Sequence, residues 1–352
     1  MNSKQRVNAV FNGNNIDRYP MWYGGAPQTT DNLIKKLGAV NEQDAMKMLG
    51  IDFITVRPEY KGSNLKKYSN GSEDTIWGIR RGGEWYGQAL NHPLKYAETV
   101  KAVETYSWPS KDLWDVKIND EILKKAQRYC VIGGMWAPFF HDVIELLGME
   151  NCFIKMFEKP EIVEAVIERV FDFYYDLSLK TFQSNPQVID MFFFGNDFGA
   201  QKGLLCSPDM WRRFFKPSIK KLVELGHQFN TKAVLHSCGD IYEIIPDLIE
   251  IGIDGINPVQ ITAFGMNPEK LISEYGRDIV FFGGIDVNKV LTKGSEMEVR
   301  AETRRIIDIL GSYGRYIVAP THDYMLPDIP VCNIIAMYDE AKKYSAKIKC
   351  IQ

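Results

Sequence analysis

Apolar residues in this chain fall into short continuous runs, each followed by a stretch with helical spacing. VIDMFFFGND (188–197) is apolar almost throughout, as a strand buried on both faces must be. Ser207-Pro208-Asp209 then predicts a helix start, with Ser as N-cap and Pro in the first helical position. The alternation repeats. KAVLHSCGD (232–240) precedes a helical YEIIPDLIEIG that stops at Gly252, and GINPVQ (255–260) precedes NPEKLISEYG. IVFFGGID (279–286) precedes SEMEVRAETRRIIDILG, and YIVAPTH (316–322) precedes PVCNIIAMYDEAKKY.

Three earlier strands are expected at 18–25 (RYPMWYGG), 51–57 (IDFITVR) and 129–136 (YCVIGGMW). Strict β-then-α order implies parallel strands with right-handed crossovers. Eight such units predict an α/β fold closed as a (β/α)8 TIM barrel, and no GxGxxG follows any strand to favour an open dinucleotide-binding sheet. An N-terminal extension precedes the barrel. The stretch from about 68 to 92 breaks the rhythm: its Asn70-Gly71 and Gly82-Gly83 turns between aromatics predict an inserted β-hairpin beside the mouth. The whole of 1–352 reads as a single domain.

Composition narrows the function classes. A net charge of -3 with 25% charged residues gives no field for nucleic acid or an anionic membrane. The polar N-terminus lacks a signal-peptide core, and no apolar run approaches the roughly 20 residues that span a bilayer. Six scattered cysteines (130, 152, 206, 238, 332 and 350) fit reduced thiols in a cytoplasm.

In a barrel the chemistry sits at the C-terminal ends of the strands. His236 and Cys238 lie two apart on one such end, so both can face inward. His322 ends the last strand. Together they form a candidate Zn2+ site with one open position. Asp197, after an apolar run, is a candidate acid, base, ligand or anchor. Asn257 and Gln260 are candidates for fixing a substrate's pose. Trp22, Tyr23, Arg57, Trp136, Asn196 and Asp286 complete the expected substrate wall, with His141 and Asp142 just past the third strand as further candidates.

HSCGDIYEIIPDLIEIGIDGINPVQ resembles the H-x-C-G … G-x-D-x-x-N-x-x-Q segment of the uroporphyrinogen decarboxylase superfamily. The opening RVNAVFNGNNIDRYPMW, FFGNDFGAQKGLLCSP, GGIDVNKVL and APTHDYMLPDIPVCNIIAMYDEA resemble it too, in the same order along nearly the whole chain. True decarboxylases carry an arginine-bearing R-Q-A-G-R-Y segment where this chain reads MWYGGAPQTTDN, without arginine. The corrinoid/coenzyme M methyltransferase-like branch shares H-x-C and completes its zinc site with a late cysteine, whose position falls at His322. The resemblance therefore implies a zinc-dependent methyltransferase. It would move a methyl group between a corrinoid carried by a partner protein and a small thiol or methylated compound. Two alternatives stand beside it: a metal-independent carboxy-lyase on a polycarboxylated tetrapyrrole, which predicts several arginines at the mouth, and a non-catalytic tetrapyrrole- or corrinoid-binding barrel. The oligomeric state is left open.

Overall fold

The computed structural model describes residues 1–84 and 87–345; Trp85 and Tyr86 in the expected hairpin, and Cys350, lie outside them. Seven parallel strands form a curled sheet: β1 (Phe53–Thr55), β2 (Cys130–Gly133), β3 (Met191–Gly195), β4 (Lys232–His236), β5 (Gly255–Val259), β6 (Val280–Ile285) and β7 (Tyr316–Pro320), paired in that order. Every expected strand centre is present, with ends trimmed. The first is the exception. Of 18–25, Met21 bridges Val318 in parallel, and its carbonyl accepts from Asp52 N at 3.0 Å. One extended segment thus sits between β7 and β1 and completes the ring. The Pro20 ring removes one ladder donor here, which shortens the pairing.

Alternation along the strands sorts the side chains into two cores. Phe53, Ile132, Phe193, Val234, Phe282 and Ile317 point into the barrel. The N-terminal helix Ser3–Phe11 plugs its lower end with Val7, Val10 and Phe11. The opposite faces pack on the helices outside, including Pro208–Phe214, capped by Ser207 as its sequence predicts. Buried on both faces, β2, β3, β6 and β7 have to be apolar throughout, and β5 carries a single polar residue, the buried Asn257.

The interruption before β2 is larger than a hairpin. Glu73–Asp74, Arg80–Gly82 and Gln88–Ala89 form a three-stranded antiparallel sheet, and Glu59–Tyr60 pairs with Trp114–Asp115. Arg81 on its middle strand donates to Glu145 on helix Phe139–Leu147, tying the insertion to the barrel. No helix among the described residues is long and apolar enough to cross a membrane.

Candidate active site

At the C-terminal end of the barrel, β3 and β4 run side by side with Gly195 opposite His236. That register sets the site. The chain beyond β3 carries Asp197 next to Cys238, whose backbone N–H donates to Asp197 Oδ1 at 2.8 Å. His236 shares the inward face of Val234, so its ring enters the barrel. His236 Nε2 lies 3.2 Å from Asp197 Oδ1 and 3.6 Å from Cys238 Sγ. The ligand atoms of Asp197, His236 and Cys238 all fall within 4.8 Å of one another, the one such group among the described residues.

A second layer holds these three. His236 Nδ1 donates to Asn257 Oδ1 at 2.9 Å and lies 3.5 Å from Asp323 Oδ2. Gln260 Oε1 accepts from Gly239 N at 2.8 Å, bracing the turn after Cys238. Gly239 itself has φ +82°, and a Cβ there would come within 2.3 Å of the Gly199 backbone, so only glycine lets these two loops cross. His141 Nε2 reaches Asp197 Oδ2 at 3.3 Å from the helix after β2. That helix starts behind Ala137, whose φ of +50° is held by Asn196: Nδ2 donates to Ala137 O and Oδ1 accepts from Phe140 N.

The electrostatics follow from this crowding. Burial works to raise the Asp197 pKa, but hydrogen bonds and charge from His141 and His236 hold it well below the usual carboxylate range. Burial works to lower the His236 pKa, but Asp323, Asp197 and Cys238 raise it well above that of free histidine. Burial raises the Cys238 thiol, with His236 opposing.

The donor set suits zinc. Imidazole nitrogen, thiolate sulfur and carboxylate oxygen are its usual ligands, and donors about 2.0–2.3 Å from one tetrahedral ion stand about 3.3–3.8 Å apart, close to the 3.2 and 3.6 Å that separate His236 Nε2 from Asp197 and Cys238. Nδ1 is tied to Asn257, which leaves the Nε2 lone pair for a metal.

A cavity of about 510 Å³ opens above the triad. Trp136, His141, Glu145, Arg81, His322 and Tyr324 are on its wall, and the Trp136 ring lies 5.1 Å from that of His236. His322 therefore borders the expected metal site but stands outside the close triad, where Asp197 takes the third place. Its Nδ1 accepts from Tyr324 N at 3.1 Å.

The remaining expected residues do other work. Trp22 is buried against Phe193 inside the barrel and, with Tyr23, lines a separate flank cavity beside β1. Arg57 donates to the Gly134 and Phe193 carbonyls where β2 parts from β3. Water reaches its side chain. Asp286 caps the turn after β6 by accepting from Asn288 N and Lys289 N. Arg81 and Glu145 are cavity residues that the sequence did not single out as a pair; Glu145 lies one helical turn from His141, the one signal available.

Comparisons with known proteins bear on the family and the fold. The sequence model of the uroporphyrinogen decarboxylase (URO-D) family matches residues 89–344. Two methylcobamide:CoM methyltransferases named MtbA, from Methanosarcina acetivorans and Methanosarcina mazei, are each 22% identical, over 72% of this chain and 71% of their own length. A solved methyltransferase structure from Methanosarcina mazei shares the fold with a TM-score of 0.68 at 17% identity, over 98% of this chain and 99% of that one. The chain belongs to the uroporphyrinogen decarboxylase family.

Proposed function

We propose that this member of the uroporphyrinogen decarboxylase family is a zinc-dependent methyltransferase. In this reading it moves a methyl group between a cytoplasmic corrinoid protein and a small thiol or methylated compound. The observation that carries it is the close Asp197–His236–Cys238 triad facing a cavity at the C-terminal end of a barrel. The methyltransferase names of the two curated relatives support the same class.

His236 Nε2, Cys238 Sγ and an Asp197 oxygen would hold the zinc. When bound, zinc supplies a Lewis acid that lowers the pKa of a thiol taking its open position. His141, beside Asp197 on the cavity wall, would accept the thiol proton. Trp136 would give the acceptor a flat wall and keep water from the sulfur. The thiolate would form its new carbon–sulfur bond to the methyl carbon while the pair of the cobalt–carbon bond stays with the cobalt of the corrinoid substrate. The reverse transfer would use the same wall for a methylated donor.

A decarboxylase acting on a polycarboxylated tetrapyrrole calls for several arginines over the site. Arg81 is the one arginine or lysine on this cavity's wall among the described residues, and Glu145 already pairs with it. The charge pattern thus favours methyl transfer.

Metal analysis of the purified protein tests the reading. About one zinc per chain is expected in the wild type, lost in Cys238→Ala and in Asp197→Ala. Methylcobalamin with a thiol should yield thioether with the wild type and none with Cys238→Ala. A wild type that holds no zinc when purified without chelators, and methylates no thiol, ends this proposal. His322→Ala separates the two ligand sets: retained zinc favours Asp197 as the third ligand, and lost zinc favours His322.

A further inference from the structure

Asn257 has a chemical position that a substrate-contacting residue would not have. It is 1% exposed and is absent from the cavity wall. Its amide oxygen is committed to His236, at 2.9 Å from Nδ1. An amide oxygen only accepts, so Nδ1 must carry the proton in that bond. The other amide atom, Nδ2, is buried and has no hydrogen-bond partner among the described residues. A buried donor left unpaired is a cost that an apolar residue of the same shape would avoid. Leucine would therefore pack as well or better if filling space were the task. The unpaired Nδ2 marks the oxygen as the part of the side chain in use.

We propose that Asn257 is a positioning residue for the metal site, fixing the His236 proton on Nδ1 so that Nε2 presents its lone pair to the ion. This inference rests on the zinc reading above. The geometry supports it from the other side of the ring: Nε2 is the nitrogen that faces Cys238 Sγ, at 3.6 Å, and Asp197 Oδ1, at 3.2 Å. Asp323 Oδ2, 3.5 Å from Nδ1, is a longer second contact and cannot by itself set the ring's rotation as tightly. Ligating histidines generally owe their orientation and basicity to such a partner on the far nitrogen. In the same segment, Gln260 performs the equivalent task for the backbone, holding Gly239 and with it the turn that carries Cys238.

The test is zinc affinity by chelator competition on the full chain, for wild type, Asn257→Leu and Asn257→Asp, with the unfolding midpoint of each metal-free protein measured alongside. Asn257→Leu should weaken zinc binding about 10–100-fold. Its metal-free form should unfold close to the wild type, because the loss of the unpaired Nδ2 is offset by the His236 Nδ1–H that the change leaves without its acceptor. Asn257→Asp, which still accepts from Nδ1, should keep affinity close to wild type. At saturating zinc, the KM for a probe thiol (2-mercaptoethanol, with methylcobalamin as donor) should be unchanged in Asn257→Leu. Wild-type affinity in Asn257→Leu overturns the inference while leaving the zinc reading intact. So does a raised KM with unaltered zinc affinity, which would return Asn257 to substrate contact. A wild type with no measurable zinc affinity removes the donor set and this assignment with it.

Discussion

Each end of the barrel buries a cluster of charged side chains, and the two are built on opposite terms. At the closed end, fully buried Asp52 accepts from Arg6 Nη1 at 2.6 Å, Arg18 Nη1 at 2.8 Å and Met21 N at 2.9 Å. Arg6 also holds Asp17: burial opposes that charge, but the bonds from Arg6 bring the Asp17 pKa down to about 2. Permanent cations fill the coordination of each acid. At the open end the cations are replaced by His236 and His141, a thiol joins them, and a cavity of about 510 Å³ adjoins the group. A cluster saturated by arginines closes a barrel; one of titratable, metal-ligating donors beside empty space has room for a ligand. This matches the general division of labour between the two faces of such barrels.

The largest break in the comparison should come from Asp52→Ala. It strips the acid that joins Arg6, Arg18 and the Met21 segment, and should cost about 3–5 kcal/mol in urea unfolding. Zinc content of the protein that still folds should stay at the wild-type level. A cost below about 1 kcal/mol would show that ring closure does not depend on this cluster.

Cys238→Ala should do the reverse. Zinc should fall to background by metal analysis, while the unfolding free energy of the metal-free protein moves by only about 1 kcal/mol. A large loss of metal-free stability would make Cys238 a packing residue first.

The pH responses should diverge more modestly. Asp17 has a lowered pKa, so its share of stability is present above about pH 4 and is lost as pH falls towards about 2. Asp197, also lowered, behaves the same way on the acid side. His236 is raised, so its share is whole below about pH 6.5 and is lost as pH rises towards the folded value. Metal-free protein should therefore lose stability above about pH 6.5 in part through His236 at the open end. Asp197→Asn should flatten that alkaline slope in denaturation curves taken at several pH values, whereas Asp17→Asn should leave it untouched.

The smallest effect is expected at Glu145→Gln, which weakens a partly exposed pair with Arg81. Stability should change by less than about 1 kcal/mol. Any larger change would mean that the inserted sheet is fastened to the barrel mainly through this bond.

Much of the barrel was legible because its strands are buried on both faces and so must be written in apolar residues, as in MFFFG of β3 and VFFGGI of β6. The segment at Met21 was less so: a proline-flanked stretch with one bridge looks like a full strand until its neighbours show how little of it pairs. The insertion was found from its turn dipeptides, but its third strand and its reach to Glu145 depend on partners distant in sequence. Asn257 and Gln260 were legible as important positions and not as supports, since their partners belong to the end of the neighbouring strand and the turn after it.

The sequence by itself determined the β/α alternation, the strand centres and the inward pairing of His236 with Cys238, because each follows from a local period of two or from burial along one run. Which third side chain stands close to them was decided by tertiary structure. The parallel register of Gly195 against His236 carries Asp197 to within 3.2 Å of the His236 ring. His322 follows β7, three strands further round the sheet, and borders the cavity instead. Distance along the chain treats both as remote from His236; only the order of strands around the ring tells them apart.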